Sequence, residues 1–344
     1  MVTQKELSTQ LLNLKNDDYF TCTDTKKSEI EKALIRRFDF NGVVINGPEI
    51  ISDKNNEHFP ILVAFRNTCY RDYVSKHKQN CTIVLTDMSS ETVHCFKVFD
   101  IIKTPAKSEV DLSDPALKTS YSAKVYSFDL KKITDIDWHR GSYAVSIISY
   151  DFGSNSIIVK LEDKPFDEKT GLPHIHPEPN PLSCILQSSL LSGKKYKRAF
   201  PSYENLNIAK PPAKTGINFL IKPNKSKKGN PVLYGSFTIP ARPLHIPKKT
   251  IEIGLAEGNT RKINAVVPMT LLIMQNNRSI PAYQLDMGIP VYSANPIQSG
   301  QLIQGQFAID ILQECQNRLD ANKYMVYIVF NGVLYGPQDF EWLQ

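Results

Sequence analysis

No stretch of about 18 consecutive apolar residues occurs in this chain, so no membrane-spanning helix is expected. The opening residues Met1-Val2-Thr3-Gln4-Lys5-Glu6-Leu7 lack the apolar core of an export signal. A cytoplasmic location is the expectation from this, with export by a non-classical route left open. The six cysteines, Cys22, Cys69, Cys81, Cys95, Cys184 and Cys315, form no CxxC pair and no tight framework. Free cytosolic thiols are expected, with a pairing among Cys69, Cys81 and Cys95 as the alternative. A Gly-rich phosphate loop, GxSxG, HExxH and the kinase motif set are all missing, and no His stands beside a Ser or Cys in a recognised nucleophile pattern. The motifs therefore require no catalysis, and the leaning is away from an enzyme. Glycine is scarcer than proline, 16 against 22, while Val, Ile, Tyr, Phe and Thr are plentiful. That balance favours short strands joined by rigid turns over long helices.

What the chain does contain is one template written twice, 181 residues apart. Tyr126-Ser127-Phe128-Asp129-Leu130 runs on to Gly141-Ser142-Tyr143-Ala144-Val145-Ser146-Ile147-Ile148. Phe307-Ala308-Ile309-Asp310-Ile311 runs on to Asn322-Lys323-Tyr324-Met325-Val326-Tyr327-Ile328-Val329. In both copies 14 positions separate the Asp from the Tyr, and an apolar-alternating strand follows. At 344 residues the chain has room for two domains, each with its own core.

Residues 1–41 read as an N-terminal segment with one short helix. Ile30, Ala33, Leu34 and Phe38 recur at helical spacing, acids lead and Arg36-Arg37 trail. From Gly42 strands dominate, with candidates at 43–45, 61–65, 82–85, 94–99, 124–130, 143–149 and 156–161. Seven short strands with turns between them is the count of a two-sheet sandwich. The second copy lies over the first beyond its opening motif. Pro60-Ile61-Leu62-Val63 is set against Pro231-Val232-Leu233-Tyr234, and Thr82-Ile83-Val84-Leu85 against Thr270-Leu271-Leu272-Ile273. Val159 and Leu161 are set against Phe340 and Trp342 in the same way.

The Gly141-Ser142-Tyr143 and Asn322-Lys323-Tyr324 sites resemble the start of the penultimate strand in immunoglobulin-like sandwiches. There a corner tyrosine packs its ring inward and bonds its hydroxyl to nearby backbone. The resemblance implies an all-β chain of two tandem immunoglobulin-like, Greek-key β-sandwich domains with a short N-terminal helical segment. The expected divisions are 1–41, a first sandwich at 42–163, a Pro-rich basic connector at 164–215 and a second sandwich at 216–344. Tyr143 and Tyr324 are expected to be buried corners, with Val145, Ile147, Val326 and Ile328 in the two cores. The Cys–Trp–Cys core of antibody domains is missing. A fold of this kind serves many functions.

Between the copies, residues 184–230 carry ten cations against one acid, a net +9, whereas the whole chain carries +6. Lys194-Lys195-Tyr196-Lys197-Arg198 interleaves cations with an aromatic, which is what phosphate contact plus ring stacking needs. A solvated connector whose lysines keep it soluble explains the same composition. Upstream, His174, His176 and Glu178 alternate in an extended segment and could converge as ligands for zinc or another divalent metal. Pro173, Pro177 and Pro179 fit a plain loop equally. Asp129 and Asp310 are expected to bond backbone at strand ends. Trp138 and Arg140, just before the first corner, read either as a contact surface or as a lid over the sandwich end.

The functional expectation is a non-enzymatic binding or assembly protein, engaging a protein partner or itself, with no cofactor. A metal-binding protein or metal-dependent enzyme using the HxHxE segment is the first alternative. Polyanion binding (nucleic acid or anionic glycan) through the basic tract is the second.

Overall fold

The computed structural model describes residues 28–29, 32, 42–52, 58–67, 81–98, 122–149, 152–162, 210–223, 229–247, 251–254, 260–275, 280–291, 295–315 and 319–343. These residues are mostly β-strand, in several sheets, with few helices. Of the expected N-terminal helix, Ser28, Glu29 and Lys32 are helical, and the rest of that segment lies outside the described residues. None of Cys81, Cys95 and Cys315 is in a disulfide. Among the described residues no helix is long and apolar enough to cross a membrane. The described residues divide into two compact units, those up to Glu162 in the first and those from Lys210 in the second, apart from Ile280 and Gly332–Leu334, which group with the first.

The first unit is a β-sandwich. One sheet holds β1 (Gly42–Asn46), β3 (Pro60–Asn67) and β6 (Ser122–Asp129), with β3 central and both pairings antiparallel. The other runs β2 (Ile50–Ser52), β9 (Ile157–Glu162), β7 (Gly141–Ser149), β4 (Cys81–Asp87), β5 (Thr92–Val98), and the two-residue β8 (Phe152–Gly153) pairs with β7. One apolar core draws on both sheets. Val43, Ile45, Ile61, Val63 and Phe65 come from the first, and Ile83, Leu85, Tyr143, Val145, Ile147, Val159 and Leu161 from the second. Period-2 alternation selects these inward residues. Yet Leu62, Ala64, Ala144 and Ile148, which point the other way, are no more than 1% exposed. The central strands are thus out of solvent on both faces, which is why they read as near-continuous apolar runs.

One side chain ties the two sheets together. The Asn155 amide accepts from Ile45 N at 3.0 Å and donates to Ile45 O at 3.0 Å, standing in for a missing ladder partner of β1. Asp129 ends β6 and caps a single helical turn, α1 (Leu130–Ile133). Its Oδ1 accepts from Lys131 N and from Phe59 N, and its Oδ2 lies 2.7 Å from His58 Nδ1. A strand carried through Leu130 is therefore corrected by one residue, because the carboxylate captures the next N–H groups and turns the chain into a helix.

The second unit repeats the order. β10 (Gly216–Pro223), β11 (Pro231–Pro240) and β16 (Leu302–Asp310) form one sheet, with β11 central. The facing sheet runs β18 (Val333–Trp342), β17 (Asn322–Phe330), β14 (Ala265–Gln275), β15 (Tyr283–Val291). A separate hairpin joins β12 (Ile251–Gly254) and β13 (Thr260–Ile263). The core again spans both sheets, through Leu233, Phe237, Phe307 and Ile309 on one side and Leu271, Ile273, Tyr324, Val326 and Ile328 on the other. Asp310 caps α2 (Ile311–Glu314) as Asp129 caps α1.

The overlay of β4 on β14 holds residue for residue, since Thr82 pairs with Ile148 and Thr270 with Val329, in step with Tyr143 and Tyr324. The overlay of β3 on β11 is corrected by one residue. Asp129 pairs with Pro60 whereas Asp310 pairs with Val232, so Ile61 matches Leu233 and Val63 matches Gly235. Setting proline on proline matched Val232 to the core residue Ile61, but a one-residue slip turns every side chain to the other face, and Val232 packs with Tyr234 and Ala308 in a separate cluster. At the matched position Gly235 faces Phe307, and Gly305 faces Phe237. A Cβ on either glycine would overlap the opposing ring.

Candidate functional site

The residues of most chemical interest gather where β4 ends and β7 begins. Asp87 closes β4 and pairs with Tyr143 on one side and Thr92 on the other. Its side chain is 91% buried and accepts from Ser89 N at 2.8 Å, Ser89 Oγ at 2.6 Å and Ser90 Oγ at 2.8 Å, which folds residues 88–91 into a turn. His139 Nε2 stands 3.3 Å from Asp87 Oδ2 and 3.3 Å from Ser89 Oγ. Burial alone would lift the Asp87 carboxyl, but the serine hydrogen bonds and the nearby histidine outweigh it and hold the group below its ordinary value of 3.8.

Tyr143 is 1% exposed and forms the corner. Its hydroxyl donates to His139 O at 2.9 Å, accepts from His139 N at 3.0 Å and lies 3.1 Å from His139 Nδ1. Burial pushes this phenol up to about 12, with the backbone bond to His139 pulling the other way. Trp138 packs edge-on against Tyr143 at 4.8 Å between centroids and tilts over Phe59 at 4.9 Å. Among the described residues its buried Nε1 has no hydrogen-bond partner. Trp138 is thus placed as a lid on the core, and Arg140 beside it is exposed.

The cluster contains Ser, His and Asp, but it is not wired as a nucleophile relay. Such a relay needs His to take the serine proton while Asp holds the far ring nitrogen. Here Ser89 donates directly to Asp87, and His139 Nε2 faces the same carboxylate. The arrangement keeps Asp87 ionised and fixes the loop that carries Arg140. Sequence reading missed this network; the signal was the Asp87-Met88-Ser89-Ser90 string, whose short polar side chains favour self-bonded turns.

The second unit has the same corner. Tyr324 is 2% exposed and donates to Asp320 O at 2.8 Å, four residues back as in the first copy. Its ring stacks on Phe340 at 5.3 Å. Gln275 pairs with Tyr324 where Asp87 pairs with Tyr143.

Of the other sequence-picked residues, His174, His176, Glu178 and Lys194, Lys195, Tyr196, Lys197 and Arg198 lie outside the described residues. Among the described residues, no group of three or more His, Cys, Asp or Glu side chains is placed to hold a metal ion. Lys210, Lys214 and Lys222, at the end of the basic tract, are exposed. Asp129 and Asp310 both bond backbone N–H groups as helix caps.

No protein-family model matches the chain, and no curated protein matches it. Among solved structures it is similar to the FN1–FN3 domains of chicken CNTN1 with a TM-score of 0.17 and 7% identity, over 88% of this chain and 67% of that one.

Proposed function

We propose that the chain is a non-enzymatic binding or assembly protein built from two immunoglobulin-like, Greek-key sandwiches, engaging a protein partner or a second copy of itself. The observation that carries this reading is the pair of matching strand orders, a three-stranded sheet facing β9, β7, β4, β5 in the first unit and β18, β17, β14, β15 in the second, each closed by a tyrosine bonded to backbone four residues upstream. Sandwiches with this order present end loops and strand edges to partners. The Arg140 loop, held by Asp87 and Tyr143, is the end-loop contact surface in this reading, with Trp138 supporting it from beneath. Capture of partners from native extract, compared between wild type and Arg140→Glu, tests it. Loss of a discrete partner in the variant is the expected result. A chain that stays monomeric in light scattering at every concentration and retains no partner would end the proposal.

Polyanion binding through the basic tract is a second reading, favoured by the exposure of Lys210, Lys214 and Lys222. Salt-dependent retention on heparin should fall when Lys194, Lys195, Lys197 and Arg198 are replaced by Ala. Unchanged retention reduces the tract to a connector.

A further inference from the structure

Matching strands in the two units have different outer neighbours. In the first unit the outer edge of β9 is occupied by β2, which runs parallel to it with Ile50 opposite Lys160, Ile51 opposite Leu161 and Ser52 opposite Glu162. Lys160 N donates to Glu49 O at 2.9 Å. Ile51 is 9% exposed and joins the core beside Leu161, while Ile50 stays outside. Three residues therefore suffice to close that edge. In the second unit β18 holds the place of β9, and among the described residues no strand pairs with its outer side. Tyr143 pairs with Val159, and Tyr324 stacks on Phe340, so Phe340 matches Val159, and Glu341, Trp342 and Leu343 match Lys160, Leu161 and Glu162.

The end of β18 has the two-sided character of an acceptor. Phe340 and Trp342 pack against the core, Asp339 and Glu341 are exposed, and Leu343 is 72% exposed. We infer that this edge, at Glu341–Leu343, accepts one parallel strand from a partner protein, apolar toward the core and basic toward Asp339 and Glu341. The backbone supplies the ladder, an aliphatic side chain sits beside Trp342 as Ile51 sits beside Leu161, and the two carboxylates select cationic flanks. This rests on the binding reading above and narrows it to one edge and one kind of occupant.

The test uses the full chain and a synthetic peptide with the sequence of residues 48–54 carrying Pro48→Lys and Ile50→Lys, the positions that fall opposite Asp339 and Glu341 when Ile51 lies beside Trp342. Hydrogen exchange with and without peptide should slow at residues 339–343, and a photo-crosslinker on the peptide's C-terminal residue should reach Leu343 rather than Asp339. The protection should be lost in Asp339→Lys/Glu341→Lys, which is surface-exposed and leaves the core intact. Absence of protection at saturating peptide, protection elsewhere, cross-linking to Asp339, or an undiminished effect in the double variant would each overturn the inference. Partner capture through the Arg140 loop can survive all of these results, so failure of the edge and failure of the broader reading are distinguishable.

Discussion

The two corners share a scaffold and differ in what surrounds the tyrosine. Around Tyr143 a buried carboxylate, two serines, a histidine and a tryptophan make a polar, ionised cluster. Around Tyr324 stand a phenol-to-carbonyl bond and a stacked phenylalanine. One hydroxyl bonded to the backbone four residues earlier closes both copies. The remaining polar groups at the first corner hold the turn after β4 and the loop before β7. Charge is distributed unequally at the cap positions too, since Asp129 has His58 at 2.7 Å whereas Asp310 has neutral Asn230 at 3.4 Å and the carboxyl of Glu314 nearby.

This contrast can be broken most severely through the glycine–aromatic cross-strand pairs of the second unit, Gly235–Phe307 and Gly305–Phe237. Gly235→Ala should destabilise that unit by about 3 kcal/mol, because the added Cβ meets the Phe307 ring in a packed core. Each unit carries one of the two tryptophans, Trp138 or Trp342, so urea titrations read by emission separate the two transitions once the other tryptophan is replaced by Phe. Only the Trp342 transition should move.

Asp87→Ala should cost the first unit about 2 kcal/mol by stranding three donors, and the matching Gln275→Ala should cost much less. The pH signature sharpens this. Because the Asp87 value is lowered, its stabilisation is present above 3.8 and disappears as pH falls through the lower folded-state value. An acid titration of wild type should show that loss, and the Ala variant should lack it.

Tyr143→Phe leaves His139 N and His139 O without their shared hydroxyl, a loss of about 1–2 kcal/mol, whereas Tyr324→Phe frees one carbonyl and should cost about 1 kcal/mol. Equal losses in the two denaturation curves would contradict the corner comparison.

Glu314→Gln should give the smallest change, with opposite sign. Burial and the Asp310 charge raise Glu314 from 4.5 to about 7. Stability of the second unit therefore falls as pH rises from 4.5 to 7 and levels off above, since the folded state holds the proton longer than the unfolded chain. The Gln variant should be about 1 kcal/mol more stable than wild type at pH 8, after allowance for solvent screening, and no more stable at pH 4. Thermal melts at the two pH values check it.

Much of the architecture was legible in the residues because strands announce themselves locally. Branched and aromatic runs fell on β1, β3, β4, β5, β6, β7 and β9, and the Asp-to-Tyr spacing marked both corners. Val145, Ile147, Val326 and Ile328 are fully buried, as their alternation required. The β3 overlay failed by one residue because a proline at a strand's start is a weak register mark, whereas the caps Asp129 and Asp310 fix register through long-range pairing. The site was less legible. Asp87 and His139 are 52 positions apart, and no local pattern joins them.

Composition, strand periodicity and the repeated Asp-to-Tyr spacing determined by themselves that this chain is β-rich and doubled, because backbone preference and alternation act over a few residues. Tertiary structure alone decided which carboxylate is buried, that Asn155 completes the pairing of β1, and that β9 has a parallel neighbour while β18 has none among the described strands. Those outcomes depend on groups far apart in the chain meeting away from water, where hydrogen-bond partners must be found within the fold.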